Sequence, residues 1–95
     1  MKIQEIILKL DDIRLFESQY QLSEFWFGKT KSYVSSMKCR DRKPSTEALL
    51  HLSRKLELMA NQFALSEMQT IKERSEPMKA LAAEIEMDIQ LRLVV

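Results

Sequence analysis

The 95 residues contain a single glycine, Gly28, and only two prolines, Pro44 and Pro77. β-Sandwiches and nucleotide-binding α/β domains need many glycines at turns and phosphate loops, so this chain is expected to be all-α. Hydrophobic residues make up 45% and charged residues 31%, the mix of a chain that folds rather than of a disordered tail. The length supports one core of modest size. One cysteine, Cys39, cannot make an internal disulfide, and with one histidine, His51, the donor set is too small for a thiolate or imidazole zinc site. No metal or cofactor is expected. No stretch approaches the roughly 20 apolar residues of a membrane span. Met1-Lys2-Ile3-Gln4-Glu5 lacks an apolar run of signal-peptide length, so the expected location is cytoplasmic or nucleoid-associated, with no membrane partner.

Apolar residues recur at helical spacing along most of the chain. Ile3, Ile6, Ile7, Leu10 and Ile13 predict an amphipathic helix over residues 2 to 16. Ser18 with Gln21 forms a capping box for a short helix over residues 19 to 27, and Gly28 is its left-handed C-cap. Thr30 can cap a third helix over residues 31 to 39 with Val34 and Met37 inward. Lys43 precedes Pro44 and is pushed out of helical geometry, which places a loop there. Ser45 is the expected N-cap of a fourth helix, with Glu47 in its first turn. Leu49, Leu52, Leu56, Met59, Ala60 and Phe63 carry that helix toward or past Asn61. Residues 64 to 74 are again helical in pattern. Ser75-Glu76-Pro77 is a stop and restart, and Met78, Leu81, Ala82, Ile85, Ile89 and Leu93 share one face of a last helix.

Charge is uneven along this pattern. The net charge is +1, but residues 1 to 28 and 44 to 95 each carry −2, while residues 29 to 43 carry +5. That segment holds Lys29, Lys31, Lys38, Arg40, Arg42 and Lys43 against Asp41 alone. A local positive patch on a weakly acidic body suits a reader of nucleic acid, because phosphate contacts require local charge and the acidic remainder limits indiscriminate adhesion. A solvated basic loop has the same composition.

Two short helices around a glycine turn, a basic loop and a packing helix describe a helix-turn-helix unit. Ser18-Gln19, Leu22-Ser23, Phe27-Gly28, Lys29-Thr30-Lys31-Ser32-Tyr33, Val34-Ser35, Arg42-Lys43-Pro44-Ser45 and then Leu49, Leu52 and Leu56 follow one another here. In that order they resemble the Cro/repressor-type (XRE-like) helix-turn-helix family across about 39 of the 95 residues. Two positions depart from the family pattern. One residue too many lies between Leu22 and Tyr33, around Phe25-Trp26-Phe27, which calls for a longer helix or a bulge. Arg40 stands where a glycine commonly follows the second motif helix.

The resemblance implies a core of four helices with C-terminal helices added, and a division into a DNA-binding domain over 1–62 and a helical, dimer-forming extension over 63–95. It implies a sequence-specific regulator of the phage or bacterial repressor kind, binding double-stranded DNA as a homodimer. Thr30, Lys31, Ser32, Ser35 and Ser36 match base-reading positions. Gln19 matches a phosphate-contacting position, with Lys29, Lys38, Arg40, Arg42 and Lys43 as further phosphate donors. Met78, Leu81, Ile85 and Ile89 are the candidate dimer surface, with packing back onto the domain as the alternative.

Simpler readings stand beside these. Ser18, Thr30 and Ser45 are helix caps with or without DNA. Phe25-Trp26-Phe27 reads as core and dimer surface, Tyr33 as core edge with its hydroxyl outward, Cys39 as a small half-buried hydrophobe, and His51 as a surface residue. Glu84 and Asp88 read as a solvated face. No phosphate loop, nucleophile with a histidine, or acid–base pair is present, so no catalytic residue is assigned. The rival function is a protein-interaction module, such as an antitoxin or a phage-encoded inhibitor of a host protein.

Overall fold

Ile3, Ile6 and Leu10, three and four residues apart, fall on one face of a helix. In the computed structural model, which describes residues 2–40 and 42–93, all three are fully buried on α1 (Ile3–Asp12). Helix α1 is shorter than expected because it stops in a Schellman turn. The amide of Arg14 donates to the Asp11 carbonyl at 2.9 Å and that of Leu15 to the Leu10 carbonyl at 3.2 Å, with Arg14 at φ 59°. Holding a non-glycine residue there costs about 1–2 kcal/mol. In return Leu15 and Phe16 fold back onto the core, and the Leu15 carbonyl accepts the indole N–H of buried Trp26 at 3.2 Å.

Ser18 caps α2 (Gln19–Gln21), its hydroxyl accepting the Gln21 amide at 3.1 Å. The Gln21 side-chain oxygen reaches back to the amide of Glu17 at 2.8 Å, one residue beyond the usual reciprocal bond of a capping box. Helix α2 continues directly as a π-helical turn, Leu22–Trp26, in which the Phe27 amide donates to the Leu22 carbonyl five residues back. A π turn takes up one residue more than an α turn, so the chain uses a bulge here rather than a longer helix. Gly28 follows at φ 64° and ends the segment as expected.

Helix α3 (Tyr33–Arg40) starts two residues later than the spacing predicts. Residues 30–32 form the turn before it, closed by the Tyr33 amide on the Thr30 carbonyl at 3.1 Å. Arg40 is the last helical residue, and among the described residues Arg14 is the only non-glycine at positive φ. The exit from α3 therefore places no strain on Arg40. Ser45 caps α4 (Thr46–Ala64) by accepting the Ala48 amide at 3.2 Å, and α4 runs past Asn61 without a break. Within residues 64–74 only one turn is helical, α5 (Gln69–Lys72), before α6 (Ser75–Leu93), which carries Pro77 in its first turn. The described residues contain no strand, and the domain is all-α.

The most extensive helix contact joins α4 to α6. They run antiparallel: Arg92, near the end of α6, donates to the Pro44 carbonyl just before α4 at 2.7 Å. Leu49, Leu52, Leu56 and Ala60 of α4 meet Met78, Leu81, Ala82, Ile85 and Ile89 of α6 in the buried core. This corrects the assignment of Met78, Leu81, Ile85 and Ile89 to a dimer surface, since all four are buried within one chain. An apolar stripe shows that a face is covered, not which molecule covers it. Here α4 lies on the same chain, a short connection away, and closing onto it avoids the entropic cost of bringing two molecules together. Helix α6, within the expected extension, thus shares the core of α1 and α4. Asp41, within the basic run, and Val94-Val95, at the apolar end, lie outside the described residues, as does Met1.

Candidate nucleic-acid interface

The segment from Ser18 to the start of α4 is assembled by short-range polar contacts between helices. Ser23 is fully buried. Its hydroxyl donates to the Gln19 carbonyl at 2.9 Å and accepts the amide of Val34, in the first turn of α3, at 3.1 Å. The first amides of a helix have no partner within it, and Ser23 satisfies this buried one, fixing the start of α3 against the π turn. In the sequence Ser23 stands out only as part of the Leu22-Ser23 pair of the helix-turn-helix pattern. The available signal was a hydroxyl on an otherwise apolar face beside Leu22 and Trp26.

Beyond Gly28 the Lys29 amide donates to the Ser23 carbonyl at 2.9 Å. This bond closes a ring one residue wider than the usual glycine cap, as the π turn requires. His51 of α4 lies against the turn. Its Nδ1 is 3.0 Å from the Trp26 carbonyl, and a Cβ on Gly28 would sit 2.8 Å from the imidazole ring. The histidine is a surface residue, as expected, yet it also covers a helix-terminal carbonyl and needs the glycine's empty space. The Tyr33 ring lies 5.6 Å from that of Phe27, and its hydroxyl accepts the Ser45 amide at 3.4 Å. Tyr33 therefore joins α3 to the cap of α4.

With Val34 buried and Tyr33 and Met37 packed on the core, the opposite face of α3 is set outward. Thr30, Lys31, Ser32, Ser35 and Ser36 are all exposed, as are Cys39 and Arg40. Cys39 is thus not the half-buried residue expected; it follows Ser35 and Ser36 on the outer side of the helix. Gln19, Arg42 and Lys43 are exposed, and Lys38 is half-buried. No acid occurs between Lys29 and Arg40. Lys29 differs from the other cations because its ammonium lies 3.4 Å from the carboxylate of Glu47. The loop bearing Arg42 and Lys43 is anchored on both sides. The Arg42 amide bonds to the Met37 carbonyl at 3.2 Å, and buried Pro44 is held through its carbonyl by Arg92. Arg92 is in turn 3.2 Å from the Asp88 carboxylate. Nothing in the spacing of the sequence linked Arg92 to this loop.

Residues 3–94 match the model of a family of unknown function, DUF6626. The chain belongs to the DUF6626 family. No curated protein and no solved structure matches it. The site in this DUF6626 chain therefore rests on its own geometry: a short exposed helix carrying hydroxyls, a lysine in the turn before it, and a basic loop after it. Among the described residues no helix is long and apolar enough to cross a membrane, and no group of three or more His, Cys, Asp or Glu side chains is placed to hold a metal ion.

Proposed function

We propose that this DUF6626 domain is a sequence-specific DNA-binding regulator of the repressor type, as the helix-turn-helix resemblance implies. Its α3 addresses the major groove. An eight-residue helix is about 12 Å long, and the groove, about 12 Å wide, admits a helix. The carrying observation is the outward row of α3 and its leading turn, Thr30, Lys31, Ser32, Ser35 and Ser36, exposed together on a helix pinned by Ser23, Val34 and Tyr33. Hydroxyls serve base edges or phosphates, and Lys31 donates to guanine. Lys38, Arg40, Arg42 and Lys43 lie on phosphates, where they fix register without carrying sequence. The proposal includes two copies on half-sites about 34 Å apart. The surface joining them is not the Met78, Leu81, Ile85 and Ile89 stripe, which the chain covers itself.

The test is a titration of duplex DNA over a range of salt. Four cations, Lys38, Arg40, Arg42 and Lys43, are assigned to phosphates, with Lys31 reading a base and Lys29 engaged by Glu47. If each neutralises one phosphate, the slope of log K against log salt approaches about −3.6 per copy. Lys31→Ala weakens the selected site by about tenfold to a hundredfold and relaxes its sequence preference, whereas Arg42→Ala weakens every duplex alike. Equal losses on all sequences for both variants remove the base-reading role, and no retention of any duplex at low salt removes the proposal.

A further inference from the structure

Away from α3, a cleft opens between the outward side of α4 and the turn around Gly28. It holds about 310 Å³. Phe27 and Gly28 form its floor, Leu50 and Leu58 its apolar wall, and Arg54 and Lys55 its charged rim. Leu50, Arg54 and Leu58 are four residues apart and so lie in one row along α4. Leu50 is 38% and Leu58 53% exposed, and neighbouring Phe25 is 39% exposed beneath the Lys55 ammonium, which sits 4.5 Å from its ring centroid. The cleft's one acid, Glu47, is engaged by Lys29. Among the described residues no carboxylate pairs with Arg54 or Lys55. The surface is therefore apolar along its length with unneutralised positive charge at its rim.

We propose that this cleft docks an acidic amphipathic helix of another protein. Bulky apolar side chains spaced three or four apart enter between Leu50 and Leu58 over Phe27, and carboxylates beside them meet Arg54 and Lys55. This is helix-in-groove recognition, in which burial of apolar area supplies affinity and charge fixes the partner and its register. A phosphodiester backbone would match the two cations but leave Leu50, Leu58 and Phe25 in water, so the apolar half of the cleft favours a protein. Gly28 lets the His51 ring lie against it at the edge of the cleft, since a Cβ there would come within 2.8 Å of that ring. The inference uses none of residues 30–43 and stands or falls separately from DNA binding by α3.

A display library of random peptides selected on the immobilised full chain tests it. The expected pool is rich in Asp and Glu, with large apolar residues at helical spacing. A synthetic peptide of the consensus binds in solution, and Arg54→Glu/Lys55→Glu lowers its affinity by about tenfold or more. Leu58→Ala lowers it independently of charge. Leu58→Ala retains the parent's affinity for duplex DNA, and Arg54→Ala loses less of it than Arg42→Ala does. Should the double variant fail to fold, Leu58→Ala and Arg54→Ala carry the test alone. A pool no richer than that from bare support, a pool without acidic bias, or a consensus peptide indifferent to these substitutions overturns the proposal. A loss of duplex affinity in Arg54→Ala as large as that in Arg42→Ala also overturns it, making the rim a phosphate contact instead.

Discussion

Replacing Ser23 with alanine removes one oxygen and two hydrogen bonds, but the two losses are unequal. The Gln19 carbonyl still accepts the Leu22 amide, so it keeps a partner. The Val34 amide, in the first turn of α3 and on a fully buried residue, has Ser23 as its acceptor at 3.1 Å and no earlier helical turn to bond to. Leaving a buried donor unsatisfied costs about 1–3 kcal/mol. In a domain of this size each kcal/mol lowers the melting midpoint by roughly 4–8 °C, so Ser23→Ala is expected to melt well below the parent. Thermal unfolding followed by circular dichroism reads the midpoint, and amide hydrogen exchange reads the Val34 N–H directly. That amide should exchange faster than the global unfolding change accounts for, because its bond is broken in the native state. A Ser23→Ala protein that melts with the parent and protects Val34 equally would refute the claim that this hydroxyl pins α3.

Gly28→Ala places a side chain at φ 64° and 2.8 Å from the His51 ring, so it destabilises by about 1–2 kcal/mol from the backbone alone, plus the cost of displacing the ring. The double variant Gly28→Ala/His51→Ala recovers the second part and not the first, which chemical denaturation of the four proteins of that cycle measures. A hydrogen bond to Glu57, and then the repulsion of its charge, hold the Glu86 carboxyl above the usual carboxylate range. A raised folded-state value means that ionising Glu86 costs stability, increasingly as pH rises through that value. Glu86→Gln therefore melts slightly above the parent at neutral pH, and the difference disappears in acid below the unfolded carboxylate range; the opposite sign in a pH series of melting curves would count against the pairing.

The helical architecture was legible because its determinants are local. One glycine among 95 residues, hydroxyls at Ser18 and Ser45, and stripes such as Ile3, Ile6 and Leu10 each act within a turn or two of themselves. The end of α1 was not legible, since Ile13 and Phe16 extend the apolar pattern and nothing about arginine announces the left-handed conformation that Arg14 adopts. The start of α3 moved because the turn over residues 30–32 depends on the π segment before it. The outward residues of the candidate interface were foreseeable from the inward set of Val34 and Met37. Ser23, Arg92 and Glu47 were not, because each acts on a residue at least 11 positions away. The α6 stripe was read correctly as apolar, but its partner was a matter of tertiary packing.

The most direct measurement is a backbone amide NMR titration of the full chain with duplex DNA at low salt. Shifts are expected to concentrate in residues 30–40 and at Arg42 and Lys43, with the buried α4–α6 contact unmoved. Shifts absent altogether, or gathered elsewhere while α3 stays unperturbed, would contradict DNA binding by α3.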